Sequence, residues 1–135
     1  MAQLQCIVVT PEATVLDEQV DFVAVPLFDG ELGIAPGHSP LIGRLGYGEL
    51  RLVVGGKSTR YYVDAGFVQV AANVVSVLTN RALPSAAVDA RAAAELLSQA
   101  RSRKANNPEL LAIRDRQEQQ ARAQMRVATR VGSHA

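Results

Sequence analysis

Tryptophan is absent from this 135-residue chain, cysteine occurs once, histidine twice, and aromatic residues make up only 4% of it. A lone cysteine, Cys6, cannot form an internal disulfide. Its place in the alternation Leu4, Cys6, Val8 marks it as a small buried hydrophobe and not as a reactive thiol. With only His38 and His134 to draw on, neither a histidine-rich metal cluster nor a catalytic triad is supported. Ser39 follows His38 directly, but neighbours on a strand point to opposite faces, and no Gly-x-Ser-x-Gly elbow surrounds the serine. No run of about 18 uncharged apolar residues is present, so no membrane-spanning helix is expected. MAQLQCIVVT lacks both a charged start and a long apolar segment, so no signal or transit peptide is expected either.

What is present is enough for a folded core: 48% hydrophobic and 20% charged residues, a balance far from that of disordered chains. The formal charge of +1 conceals an asymmetry. Residues 1–84 carry five basic and eight acidic side chains, whereas residues 85–135 carry nine and five. Two surfaces of opposite sign suit two different partners.

Residues 3–9, 14–16, 19–28, 49–54, 59–64, 66–71 and 74–79 alternate in hydrophobicity or run in β-branched residues. Turn signals at Gly55-Gly56, Ala65-Gly66 and Ala72-Asn73 separate the later ones. Counting short pieces between residues 29 and 48, about ten short antiparallel strands are predicted, packed as a β-sandwich over residues 1–84. No helical pattern interrupts them. From Ser85 onward alanine, leucine, glutamine and arginine dominate, which favours helix. Asn107 is placed as an N-cap and Pro108 as a first helical residue, giving a two-helix hairpin over about 86–104 and 108–130. The fold class is α+β, with the hairpin (85–135) appended to the sandwich (1–84).

The hairpin's apolar stripe (Leu110, Leu111, Ala121, Met125) is sparse. A helical pair that buries little is suited to leaving its docked position, as a switch element must. Arg114, Arg122, Arg126 and Arg130 recur at multiples of four, with Arg116 nearby, and trace a slowly winding basic stripe. No aromatic residues interleave with them, so a nucleic-acid surface is poorly supported. Gly55-Gly56-Lys57-Ser58 is a P-loop only superficially: Arg51 stands where that motif needs its first glycine, and a strand follows where it needs a helix.

The densest signal is Asp29 to Gly48, DGELGIAPGHSPLIGRLGYG, which holds six of the ten glycines and two of the six prolines. Interleaved Leu32, Ile34, Leu41, Ile42 and Leu45 mark it as turns between short strands, with Asp29-Gly30 a hairpin signal. Gly30 to Ile34, Pro36 to Leu41 and Gly46 to Arg51 closely match the signature of one family. On these residues the chain resembles the epsilon subunit of the bacterial rotary (F-type) ATP synthase.

That resemblance implies a non-catalytic subunit of the central stalk, without cofactor or metal. Its sandwich would contact the gamma subunit and the c-ring, and its regulatory hairpin would restrain ATP hydrolysis. The tip with Gly30, Glu31 and Gly33 would face the c-ring. His38, Pro40 and Leu41 would lie near the gamma and rotor interface, and the arginine stripe would face an acidic segment of the catalytic beta subunits beside alpha. Some members bind ATP through Ile/Leu-Asp-x-x-Arg-Ala. This chain has Val88-Asp89-Ala90-Arg91-Ala92, with the arginine one residue early, which on a helix turns the guanidinium by about 100° and places Asp89 and Arg91 on nearly opposite faces. The implied location is peripheral, at the cytoplasmic face of the bacterial plasma membrane, held there only through the complex. A different class of function, a free-standing module whose basic hairpin engages nucleic acid or an acidic protein, is the other reading.

Overall fold

The computed structural model describes the backbone of residues 3–133 and the side chains of residues 3–128. Two compact units are present, Met1–Pro84 and Ser85–Ala135. The first contains β1 (Leu4–Val9), β2 (Thr14–Val20), β3 (Phe22–Leu27), β4 (Gly30–Ile34), β5 (Leu41–Val54), β6 (Lys57–Ala71), β7 (Val74–Leu78) and β8 (Ala82–Pro84). In order across the sheet they run β2-β1-β7-β6-β5-β3-β4, with β8 pairing β6.

Eight strands replace the ten or so short ones expected, because two are long. β5 passes without a break through Leu41–Leu45 and the glycines that follow. β6 absorbs Ala65-Gly66, which was expected to be a turn. Both residues have positive φ, 60° and 115°, yet pairing with β5 resumes on either side, at Leu45–Gly66 and Tyr47–Asp64. The pair is a positive-φ kink within a strand whose register is the same on both sides. Beyond it β6 pairs β7; before it, at Tyr61 to Val63, β6 pairs β8. The β5–β6 hairpin thus runs through both layers of the sandwich. Between them lies one core of Leu4, Cys6, Val8, Val23, Val25, Ile34, Leu45, Leu50, Leu52, Val63, Val68, Val70, Val75 and Val77.

Other details depart from expectation. The sheet is not wholly antiparallel, since β1 and β7 run parallel. Asp17 and Glu18 lie inside β2, and the chain breaks instead at Asp21. Its carboxylate accepts the Gly55 N–H at 2.8 Å and the Gln3 amide at 3.2 Å. These bonds, the first the stronger, hold Asp21 below the usual carboxylate range. Gly55-Gly56 and Ala72-Asn73 do form turns, with positive φ at all four residues. Burial, with help from Glu18 and Asp17, pushes the Cys6 thiol up to about 12, so it stays protonated and inert.

In the second unit a 3-10 turn, Ser85–Ala87, precedes α1 (Ala90–Ser102) and α2 (Pro108–Ser133). Helix α1 starts four residues later than expected because Asp89 caps it, accepting N–H bonds from Arg91 and Ala92. Asn107 caps α2 through the Leu110 N–H at 2.9 Å. Buried positions are mostly small: Ala93, Ala100, Ala121, Ala123 and Val127, with Gln124 among them.

Candidate interaction surfaces

The glycine-rich stretch acquires its shape from steric demands. A Cβ on Gly33 would lie 2.8 Å from the Phe22 ring, and one on Gly48 would lie 2.9 Å from the Pro26 ring. Side chains of β3 therefore occupy the space over these glycines of β4 and β5. The hairpin between β3 and β4 is present, but its loop residues are Phe28 and Asp29. Gly30 already pairs with Leu27 as the first residue of β4. Asp29, Gly30, Glu31 and Gly33 are all exposed at or beside this tip.

The next loop, 35–40, is pinned to the turn between β6 and β7. Gly37 N–H donates to the Asn73 side chain at 2.7 Å, and Gln5 N–H donates to the Asn73 carbonyl at 2.8 Å. His38 Nδ1 lies 2.7 Å from the Ser39 carbonyl; that oxygen only accepts, so Nδ1 carries the proton. Pro40 and Leu41 line a cleft of about 240 Å³ with Ile42, Gln69, Val70 and Ala71. Asn73 also holds φ +63°. Asn73→Ala is expected to cost about 1–2 kcal/mol in urea unfolding, from the lost bond and the left-handed backbone together. Asn73→Gly, which keeps the backbone, should recover part of that loss.

Sequence reading did not single out one exposed apolar surface of the first unit. On the outer face Ile42 is 76% exposed, Phe67 58% and Leu78 52%, and Phe28 beside them is 67% exposed. Register places them together: Arg44 faces Phe67 on β5–β6, Phe67 faces Leu78 on β6–β7, and the Arg44 guanidinium sits 5.7 Å from the Phe28 ring centroid. Phe67 and Leu78 border a mostly apolar cleft of about 350 Å³ with Val9, Thr10, Pro11, Gly66, Thr79 and Asn80. The signal was available in the alternation of Phe67-Val68-Gln69-Val70. It puts the valines inward, and therefore puts the phenylalanine outward.

The arginine series is uneven. Arg122 reaches Glu118 at 4.0 Å in an i,i+4 pair. Arg114 is half-buried and its Nε makes no hydrogen bond within the protein. Arg126 is exposed, and the Arg130 side chain, like His134, lies outside the described residues. Asp89 is not on a helix face with Arg91: its carboxylate is occupied as the α1 cap, while Arg91 is exposed. Lys57-Ser58 opens strand β6, as the hairpin reading of Gly55-Gly56 requires. Among the described residues no group of three His, Cys, Asp or Glu could hold a metal ion, and no helix is long and apolar enough to cross a membrane.

Comparison with known proteins gives this surface its setting. The ATP synthase epsilon chain of Rhodopirellula baltica is 48% identical over 125 residues, covering 93% of this chain and 98% of its own. In fold, the chain superposes on one from the Euglena gracilis mitochondrial ATP synthase with a TM-score of 0.82 and 24% identity, covering 91% of this chain and 79% of that one. A chain from the central stalk and c-ring of the Tetrahymena thermophila mitochondrial ATP synthase gives 0.75 at 13% identity, covering 94% and 97%. The beta-sandwich domain of the ATP synthase delta/epsilon chain matches residues 3–85, and by that match and the identity to its relatives the chain belongs to the ATP synthase delta/epsilon family.

Proposed function

We propose that the chain is the non-catalytic central-stalk subunit of a bacterial F-type ATP synthase. In this role it joins gamma to the c-ring, couples ion flow to ATP synthesis, and restrains hydrolysis through its C-terminal helices. The carrying observation is the outer apolar face, Ile42, Phe67 and Leu78 with two clefts beside them. A soluble subunit that works alone gains nothing by leaving three large side chains in water on one face; such a patch is what a protein partner covers. Gamma is the partner we assign to it. His38, Pro40 and Leu41 lie at the edge of the same face, and the Glu31 hairpin at its corner is left for the c-ring.

The helical unit takes the other role. Arg122 and Arg126 on α2 suit an acidic segment of the beta subunits, with alpha adjacent. The chain is peripheral to a membrane through its complex, and the proposed side is the cytoplasmic face of the bacterial plasma membrane. A nucleic-acid module is disfavoured: part of the basic series is spent on Glu118, and no described aromatic side chain lies among it on α2.

The test is assembly. Tagged chain should recover gamma, alpha and beta from detergent-solubilised membranes, and failure to do so sinks the reading. Phe67→Glu combined with Leu78→Glu is expected to weaken gamma binding by about 100-fold or more. Its melting temperature should stay within about 3 °C of wild type, because both positions are already exposed. Unchanged gamma binding would move the interface to another face.

A further inference from the structure

The turn between β3 and β4 carries a residue that its position disfavours. Two-residue hairpin loops are ordinarily built from Asn, Asp or Gly, yet the first loop residue here is Phe28, with 67% of its surface exposed. The residue is nevertheless held in place. Its N–H donates to the Arg44 carbonyl at 3.0 Å, and the Arg44 guanidinium lies 5.7 Å from the ring centroid. Beneath it the backbone is tightly apposed, since a Cβ on Gly46 would stand 3.2 Å from Phe28 Cα. Around the ring, Asp29 and Glu31 are exposed. No lysine or arginine precedes Arg44 in the chain, whereas six acidic residues do. The tip is therefore a fixed aromatic knob within a mostly acidic border.

We infer that Phe28 is the anchor of the hairpin tip, seating in an apolar hollow bordered by cations on the loops of the rotor ring, with Asp29 and Glu31 as its rim. This rests on the stalk-and-ring reading above and deepens it. Binding energy concentrates in aromatic side chains that become fully desolvated, while rim charges mainly steer encounter and register. The carboxylates select a basic border, and the ring supplies the hold. The Arg44 stack fixes the knob before contact, so little side-chain freedom is lost on seating.

The experiment measures binding of full-length chain to two preparations, the detergent-purified ring and purified gamma. Phe28→Ala is expected to weaken ring binding by about 10- to 30-fold and leave gamma binding near wild type. Glu31→Gln should weaken ring binding by less than about threefold at physiological salt, with a larger effect at low salt. Phe28 is exposed, and an unchanged melting curve for Phe28→Ala separates lost contact from lost fold. Ring binding unaffected by Phe28→Ala, a loss confined to gamma, or a larger loss from Glu31→Gln overturns the assignment. Wild-type chain that binds neither preparation overturns the stalk reading itself.

Discussion

Replacing Gly66 by alanine is expected to lower the melting temperature of the β-sandwich by about 15–30 °C. The added Cβ would stand 1.9 Å from the Leu78 carbonyl oxygen and 2.9 Å from both Leu78 C and Thr79 Cα. All three are backbone atoms, so no flexible side chain can swing aside. The residue also holds φ +115°, outside even the left-handed helical region that alanine tolerates poorly. Strain of about 1–3 kcal/mol and overpacking of about the same size sum to about 2–6 kcal/mol. A domain of this size has little more than that in total. Gly55→Ala serves as control: its φ is +57° and its Cβ meets nothing within 4 Å, so the cost should be about 1 kcal/mol. Equal melting shifts for the two variants would show that the kink in β6 relaxes freely.

Removing residues 86–135 is expected to raise the ATPase activity of the assembled complex several-fold while leaving its assembly intact. The sandwich keeps its fold, because its core runs from Leu4 to Val77 and takes no residue from the helices. The hairpin is built to be held loosely. Its buried positions are chiefly alanines, each offering roughly one methyl group, about 0.8 kcal/mol of burial. Gln117 Oε1 is buried without a hydrogen bond in the protein, which costs about 1–3 kcal/mol. Leu110, Leu111 and Ile113, the largest apolar side chains of α2, remain exposed. So small a margin lets a partner's contacts choose the hairpin's conformation. ATPase activity unchanged by the deletion would make the hairpin a passive appendage.

Much of the fold was legible because the relevant signals are local. The Asn107-Pro108 start of α2 and the Gly55-Gly56 and Ala72-Asn73 turns depend on a few neighbouring residues, and so does the inward alternation of Leu4, Cys6 and Val8. Where a signal was local but ambiguous, reading slipped. Asp29-Gly30 announced a hairpin, yet Gly30 serves as a strand residue at φ 144°, and the loop falls one residue earlier on Phe28. Ala65-Gly66 has the composition of a turn, but pairing with β5 in the same register on both sides keeps it inside one strand. Nothing local could show that β1 and β7, some 70 residues apart in the chain, pair in parallel; closure of the whole sandwich decides that. Asp89 was weighed only as a ligand residue, although an aspartate before Ala-Arg-Ala-Ala is also a plain helix cap. The exposed row of Phe28, Ile42, Phe67 and Leu78 escaped notice because attention to strands went to the residues pointing inward.

The long hairpin of β5 and β6 carries one more consequence, a mechanical one. In most two-layer sandwiches, load applied to one sheet reaches the other through side chains that can slide. Here both layers share the same two strands, joined along their length by backbone hydrogen bonds. A sideways push on the outer face near Phe67 is carried as tension and shear along continuous backbone to Arg60 and Arg51 in the other layer. Such a body twists as one piece, which is the stiffness required of a part seated on a turning shaft.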